Sequence, residues 1–448
     1  MAELRQRRPP VVVDGRRDDG RPAHRHHRDE WSWSDIRSWP PDVKWSPALL
    51  ALLTGLAALF YTHFLRETPF DLSSPASCRA TFNYTFRVNA ARHQVEARSA
   101  RSWEVGTAIE AIESLIDPGK TVFAGAQAFP DGQVPTQGLC LDEALIWGYQ
   151  KIGTNGTTLF DADRFGAADP ASLGVAATML GSRWRRYLDA AEREKEYLLR
   201  RAPRYANGAI SHRREAKELW SEAVFMFPPF LAYYGVATGD LELVKTAFRQ
   251  VMLYRDVLSH NRGPLEGLWR HIEAPARGEF HVTARGRRGN AFAAYGMARV
   301  RGDVGAWEPA RSSMSAELAQ LDQWVGEILD GAMRTDDHAS GLLRNYLGDP
   351  AWFAETSGTS LFAATAYRMA VLDPARFGRD RYVSWAHRKR RAVVARIDED
   401  GFAGPAVNPE RFDADTPVEG SVVGESFLLL MGAAFRECVC AGVCEWRD

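Results

Sequence analysis

Residues 218–235 read ELWSEAVFMFPPFLAYYG, and this stretch carries most of the information about the fold. It places one carboxylate, Glu222, within a wall of aromatic and apolar side chains, namely Trp220, Phe225, Met226, Phe227 and Phe230. An acid that such neighbours desolvate has a raised pKa and can hold a proton near neutral pH. Pro228 and Pro229 predict the start or a kink of a helix, which puts Glu222 near a helix end. The alternative is a buried helix entry with one satisfied acid.

Composition sets limits on the class of protein. The chain has 448 residues, of which 45% are hydrophobic and 25% charged, and its net charge is -1. This length provides one large domain or two ordinary ones, with ample apolar material for a core. We expect no nucleic-acid partner, because there is no basic excess to neutralise phosphates. The sequence lacks a serine-nucleophile elbow, a phosphate-binding glycine loop, a dinucleotide fingerprint and zinc-protease spacing, so we expect neither a cofactor nor a metal.

The amino-terminal part differs in kind from the rest. Residues 1–44 are rich in Arg, Asp, His and Pro, and we expect a disordered cytosolic tail because such a segment buries too little apolar surface. Residues 45–65 are apolar with aromatic residues at both ends, which favours a single membrane-spanning helix over a buried core helix. The positive charges before the span place the amino end in the cytosol and the rest in the lumen or outside the cell. Residues 66–101 are expected to form a linker or stem.

Cysteines and glycosylation signals agree with a lumenal or external location. Asn83 and Asn155 each open an Asn-x-Thr triplet, the acceptor pattern for N-glycosylation. A Cys78–Cys140 link, together with one link within the carboxyl-terminal trio, would suit an oxidising compartment, although the sequence does not fix the pairing. All five cysteines follow the apolar segment: Cys78, Cys140, Cys438, Cys440 and Cys444.

From residue 102 onward the pattern is helix after helix. Near-continuously apolar helices alternate with amphipathic ones, which favours a closed double ring with one layer of helices inside the other. The sequence therefore predicts an all-α domain over residues 102–448, an (α/α)6 barrel. About eleven helices are predicted where the barrel requires twelve: 103–116, 139–152, 171–180, 183–201, 230–237, 241–259, 289–300, 314–333, 359–371, 381–397 and 421–441.

Four further places carry residues suited to chemistry. His271 follows Trp269 and Arg270 just after a long helix, although a lone histidine is more often structural. Residues 285–292, RGRRGNAF, concentrate arginines on a loop, and a guanidinium pair there is well shaped to hold a carboxylate. Glu355 and Glu425 stand at helix entrances, and for Glu355 a capping role is the stronger interpretation.

Several of these segments together resemble a known enzyme family. In their order and spacing they are similar to the six-hairpin glycosidases of glycoside hydrolase families 88 and 105, the unsaturated uronyl and rhamnogalacturonyl hydrolases, and to fungal-looking members in particular. The resemblance runs from about residue 106 to the end. It rests on residues 207–212 (NGAISH), 219–235, 288–290 (RGN), 355–362 and 424–431.

The resemblance implies an (α/α)6 barrel and a metal-free reaction. A carboxyl acid protonates the C4=C5 double bond of an unsaturated uronic acid, water adds at C5, and the resulting hemiketal opens to release the neighbouring sugar. The family's acid corresponds to Glu222, and its histidine and arginine to His271 and Arg288. The expected partner is an anionic oligosaccharide. Substrate contacts are predicted for Trp220, His271, Arg288, Asn290 and Phe292.

Three positions depart from the family pattern. Glu222 replaces an aspartate and lengthens the acid by one methylene, Gly286 stands where a tryptophan is common, and Ser172 stands where family 88 members carry a second aspartate. The leading hypothesis is a membrane-anchored glycoside hydrolase with Glu222 as general acid. The alternative is an inactive barrel, descended from such an enzyme, that binds glycan or protein. A third hypothesis, suggested only by the anchor, is an enzyme of the secretory pathway that processes protein-linked sugars.

Overall fold

The protein is an assembly of helices, seen here in a computed structural model that describes residues 74–136, 138–274, 287–411 and 414–446. Within these residues there are fifteen α-helices and four two-residue strands. The helices are α1 (Pro75–Thr81), α2 (Val88–Arg98), α3 (Ser102–Ile116), α4 (Glu143–Gly148), α5 (Gly174–Gly181), α6 (Arg185–Arg200), α7 (Ala223–Thr238), α8 (Leu241–Leu258), α9 (Arg287–Ala306), α10 (Glu308–Ser313), α11 (Ser315–Arg334), α12 (Ser357–Leu372), α13 (Pro374–Phe377), α14 (Asp380–Val394) and α15 (Val422–Cys440). The strands are β1 (Leu219–Trp220), β2 (Ile272–Glu273), β3 (Leu343–Arg344) and β4 (Ala354–Glu355).

Two kinds of helix alternate along the chain. In α7 every residue from 223 to 236 is buried, as expected of a helix that is apolar on all sides. Helix α6 buries only one side, which is the pattern of a helix with one face in solvent. Its buried residues recur at helical spacing: Tyr187, Ala190, Ala191, Glu194, Tyr197 and Leu198.

The helices form two rings. In the inner ring, α3 packs on the 3-10 turn Asp169–Leu173 that leads into α5, and α5, α7, α9, α12 and α15 follow in order. Helix α15 packs back on α3 and closes the ring. In the outer ring α4, α6, α8, α11 and α14 cover α3, α5, α7, α9 and α12, and α2 covers α15. These twelve helices have the (α/α)6 arrangement that the sequence predicted.

The folded domain begins earlier than the sequence predicted. Helix α2, inside the predicted linker 66–101, is the outer helix that covers α15. Helix α1 carries Cys78, which forms a disulfide with Cys440 in the last inner helix. The Cys78–Cys140 link considered from the sequence is therefore wrong. The predicted link within the carboxyl-terminal trio is confirmed as Cys438–Cys444.

Pro228 and Pro229 lie inside α7 instead of opening it. A proline removes the hydrogen bond to the carbonyl four residues earlier, which for Pro229 is the carbonyl of Phe225. The Arg299 side chain of α9 donates to that carbonyl at 3.2 Å, so a neighbouring helix supplies the missing donor. The part of the prediction that concerns Glu222 is confirmed, because Glu222 is the N-cap residue of α7.

No helix within the described ranges combines the length and apolar character that a membrane crossing requires. The predicted span, residues 45–65, and the predicted tail, residues 1–44, lie outside those ranges and stay predictions.

Candidate active site

The segments that lead into the six inner helices meet around one open cleft of about 530 Å³. Helix N-termini carry a partial positive charge, so this end of the barrel suits a negatively charged ligand. The residues that line the cleft include Arg101 before α3 and Ser102 at its first position, Asp163 and Asp169 before α5, His212, Arg213, Trp220 and Glu222 before α7, His271 before α9, Gly289 in the first turn of α9, Asn345 before α12, and Val407 and Glu410 before α15.

Glu222 and His271 are brought together by a short β-ladder. Strand β1 pairs antiparallel with β2, with Trp220 opposite Ile272. Just beyond the ladder, the backbone N–H of Ser221 donates to the carbonyl of His271 at 2.9 Å. This register places Nε2 of His271 in contact with Oε1 of Glu222, although the two residues are 49 positions apart in the sequence.

The charge state of Glu222 differs from the prediction. Burial by itself raises the pKa of this carboxyl, but the charge and the hydrogen bond of His271 outweigh burial and leave the pKa below its ordinary value. The prediction that the apolar wall keeps Glu222 protonated is therefore wrong, because the sequence did not reveal its partner. The Glu222 side chain is 14% exposed. An ionised carboxylate thus faces the cleft.

A second carboxyl–imidazole pair lines the same cleft. Nε2 of His212 lies 3.7 Å from Oδ2 of Asp169. Burial lowers the pKa of His212 to about 4, so this imidazole is neutral at pH 7. Burial first, and then the negative charges of Asp163 and Glu222, raise the pKa of Asp169 well above its ordinary value. Two carboxyls of the cleft, those of Asp169 and Glu222, therefore have pKa values shifted in opposite directions.

Sequence reasoning did not find Asp169. The family pattern directed attention to Ser172, three positions later, as the place of a missing carboxylate. The Ser172 hydroxyl instead donates to the carbonyl of Ser102 at 3.0 Å, and Ser172 lines a different, smaller cavity. The signal that could have identified Asp169 is its place in an Asp-Pro pair that opens the turn before an apolar helix.

Aromatic rings form one wall of the cleft. The Trp220 ring stacks on His212, with centroids 4.7 Å apart and planes at 19°, and meets His271 edge-on at 5.6 Å. Its indole N–H donates to Oε2 of Glu218 at 2.9 Å, which fixes the ring. His212 covers one face of Trp220, so the substrate contact predicted for Trp220 would use another part of this ring. Phe292 lines the cleft as predicted, although only 3% of it is exposed. The substrate contacts of both residues stay predictions.

The Arg-Gly-Asn segment at the start of α9 acts on the backbone of the site. Asn290 accepts from the N–H of Trp269 at 2.7 Å and donates to the carbonyl of Trp269 at 2.8 Å. This carboxamide holds the segment that carries His271, and the substrate contact predicted for Asn290 stays a prediction. A Cβ on Gly289 would lie 2.0 Å from Oγ of Ser221, so glycine permits this close packing. The side chain of Arg288 lies outside the described part, and its role stays a prediction.

The two other acids at helix entrances serve the scaffold. The Glu355 carboxylate accepts from the N–H groups of Ser357 at 2.7 Å and Gly358 at 2.9 Å, which confirms the interpretation as a cap of α12. Glu425 accepts from the N–H of Ala403 at 3.1 Å, and burial raises its pKa to about 8. Neither residue lines the cleft.

Among the described residues, one group of acids has the spacing of a metal site: Glu113, Asp117 and Asp142 offer oxygens within 4.8 Å of one another. The ammonium of Lys120 lies 2.9 Å from Asp117 and 2.7 Å from Asp142, so two of these acids already have a cationic partner. The group is separate from the cleft.

Comparisons with known proteins agree with this architecture. The unsaturated rhamnogalacturonyl hydrolase YesR of Bacillus subtilis (strain 168) is 25% identical over 222 residues, which cover 48% of this chain and 58% of that protein. A possible member of the GH105 family from Salmonella enterica superposes with a TM-score of 0.61 at 16% identity, covering 79% of this chain and 95% of the other. A glycosyl hydrolase family 88 protein from Bacteroides vulgatus gives a TM-score of 0.52 at 14% identity, covering 86% and 99%. At these identities the two structures show the fold alone. The family described as Glycosyl Hydrolase Family 88 matches residues 153–408, more than half of the chain, and the chain belongs to this family.

Proposed function

We propose that the protein cleaves oligosaccharides that end in a 4,5-unsaturated uronic acid, by adding water to the double bond. The observation that carries the proposal is that two carboxyls in one cleft have pKa values shifted in opposite directions, raised for Asp169 and lowered for Glu222. Two titratable groups whose pKa values are pushed apart are suited to act as acid and base in the same reaction. Membership in the family and the activity named for the Bacillus subtilis relative support the same substrate class.

The proposed reaction needs only these groups and water. The Asp169 carboxyl transfers its proton to C4 of the double bond, and a water oxygen bonds to C5 as its proton passes to the Glu222 carboxylate. The hemiketal at C5 then opens and releases the neighbouring sugar. Exchange with solvent returns a proton to Asp169 and removes one from Glu222, so the cycle balances without a cofactor.

This assignment replaces Glu222 as general acid. A donor must hold its proton at the working pH, and His271 favours the ionised form of Glu222. The same contact lets His271 hold the Glu222 carboxylate in place. His271 can also hydrogen-bond to this carboxyl after Glu222 has taken the proton from water. The proposal therefore keeps a protonated carboxyl as the general acid, but the residue is Asp169 and not Glu222.

Turnover tests the function. Incubation of the protein with an unsaturated uronyl disaccharide is expected to remove the ultraviolet absorbance of the double bond, while the saturated disaccharide stays intact. Glu222→Gln keeps the shape but cannot accept a proton, and we expect a loss of about 10²- to 10⁴-fold in kcat. If the wild-type protein binds the disaccharide without turning it over, the inactive binding barrel takes the place of this proposal.

The dependence of kcat/KM on pH follows from the pKa shifts of Glu222 and Asp169. The base is active when ionised, so kcat/KM should fall as the pH drops through the lowered pKa of Glu222. The acid is active when protonated, so kcat/KM should fall as the pH rises through the raised pKa of Asp169. The expected result is a bell-shaped profile, measured with the same disaccharide across the acid and neutral range. A rate that rises steadily with pH would contradict a protonated donor.

We also propose that the barrel lies on the lumenal or outer side of a membrane, anchored by residues 45–65 with the amino end in the cytosol. Two disulfides suit an oxidising compartment. Asn83 and Asn155 are both exposed on loops, as glycosylation acceptors must be. Resistance of the protein to alkaline extraction from membranes, together with a shift in gel mobility after treatment with an endoglycosidase, is the expected result.

A further inference from the structure

Arg213 occupies a distinctive place in the cleft wall. Its backbone pairs with Gly166 in an isolated antiparallel bridge, so the residue sits on the turn that precedes α7 and beside the turn that precedes α5. The guanidinium carbon lies 5.4 Å from the centroid of the Phe165 ring and 5.7 Å from that of Trp220. Two aromatic rings therefore flank the guanidinium, and such contacts orient a cation without using its N–H donors.

Three other charged residues that line the cleft already have partners. Arg101 forms an ion pair with Glu410 at 2.6 Å at the rim, and Glu222 contacts His271. Asp163 accepts from the Ser102 hydroxyl at 2.6 Å. In contrast, none of the described residues accepts a hydrogen bond from the Arg213 guanidinium or forms an ion pair with it. A half-buried guanidinium that faces a cleft without an acidic partner is suited to receive an anion from the ligand.

Arg213 is also close enough to act on the acid. Arg213 directly follows His212, whose Nε2 lies 3.7 Å from Oδ2 of Asp169, and the positive charge of Arg213 opposes the rise in the pKa of Asp169 that burial causes. In an unsaturated uronic acid the carboxylate is bonded to C5, next to the carbon that receives the proton. A group that binds this carboxylate must therefore stand near the proton donor, as Arg213 does.

We propose that Arg213 binds the carboxylate of the uronic acid and makes the cleft selective for charged over neutral sugars. This inference rests on the proposed function for the choice of sugar. It assigns the carboxylate-binding role, which the sequence suggested for the arginines at positions 285–288, to a residue of the cleft wall. It also couples binding to chemistry: a bound carboxylate neutralises Arg213, and Asp169 then holds its proton more firmly until the double bond is in place.

Binding measured by calorimetry tests the inference without relying on turnover. The ligands are a saturated uronyl disaccharide, which the proposed reaction does not consume, and its methyl ester, in which a neutral ester group replaces the charged carboxylate. The wild-type protein is expected to bind the acid about 10- to 100-fold more tightly than the ester, the range expected for a charged hydrogen-bonded pair. Arg213→Met is expected to lose this preference and to bind the ester as the wild type does, because methionine keeps the apolar contacts with the rings.

Two matched variants separate Arg213 from the other arginines. Arg164→Met removes an exposed arginine that also lines the cleft, and Arg288→Met removes the arginine of the family pattern. Both are expected to keep the preference for the acid. A preference that survives Arg213→Met, or that disappears only in one of the other two variants, or that is missing in the wild type, would overturn the inference. Because no ligand is consumed, these outcomes are independent of whether the unsaturated substrate is cleaved.

Discussion

Replacing Asp169 with asparagine is expected to lower kcat for the unsaturated disaccharide by about 10²- to 10⁴-fold, with a smaller effect on KM. Asparagine preserves the size of the side chain and can still accept a hydrogen bond, but it has no proton to give to C4. The protonated state of Asp169 is set by burial and by the neighbouring charges of Asp163 and Glu222, so the loss should be a loss of chemistry and not of folding. Single-turnover decay of the double-bond absorbance measures this step directly.

The pH profiles of the two variants decide which carboxyl is the acid. In Asp169→Asn the residual activity should no longer decline at high pH, because the group that must stay protonated has been removed. In Glu222→Gln the decline at low pH should disappear instead. The opposite pattern would return the acid role to Glu222. Ser172→Ala serves as the control near Asp169, since the Ser172 hydroxyl donates to the carbonyl of Ser102 and Ser172 does not line the cleft.

The second large effect concerns stability. Gly296→Ala in α9 is expected to lower the free energy of unfolding by about 3 kcal/mol, at the upper end of the usual range for overpacking. A Cβ at this position would lie 2.3 Å from the carbonyl oxygen of Val224 and 2.7 Å from Cα of Phe225. Both are backbone atoms of α7, in the turn before the two prolines, so the helices themselves would have to move apart. Urea unfolding followed by circular dichroism measures the change.

Gly305→Ala in the same helix is the matched control. There the nearest atom to a new Cβ is the end of the Arg301 side chain at 3.3 Å, which can adjust. We expect this variant to be unchanged or more stable, by up to about 1 kcal/mol, because alanine favours the helix more than glycine does. Equal losses in the two variants would mean that contact with α7 is not the cause.

Much of the fold could be predicted from the sequence because the inner and outer helices bury different fractions of their surface. The continuous apolar run of α15 and the one-sided apolar pattern of α6 can be recognised in the amino-acid sequence. Helix α2 was missed because it is mostly polar and buries only Ala91 and Val95. The prolines of α7 were misinterpreted because the compensating donor, Arg299, comes from another helix. Local patterns predict what a segment forms on its own, and they miss what a distant segment makes possible.

The same limit applies to the site. Glu222, His271, Trp220 and Phe292 were found, and the structure brings all four to one cleft. The direction of the Glu222 pKa shift could not be predicted, since it depends on a contact 49 positions away in the sequence. Asp169 was missed for a related reason, because a pattern shared with relatives pointed to a neighbouring position. The charge state of a side chain depends on the contacts of the folded site, and the local sequence around that residue does not determine it.

The way the outer ring begins and ends has a topological consequence. Helix α2 covers the last inner helix, Cys78 is joined to Cys440, and the rings of Phe82 and Trp446 lie 4.7 Å apart. The two termini of the folded domain are therefore neighbours. A gene rearranged so that a short peptide joins them, with new ends opened in the exposed turn at 261–263, would encode the same toroid from a different starting point. The order of the helical hairpins around the barrel defines this architecture, and the position of the chain termini does not.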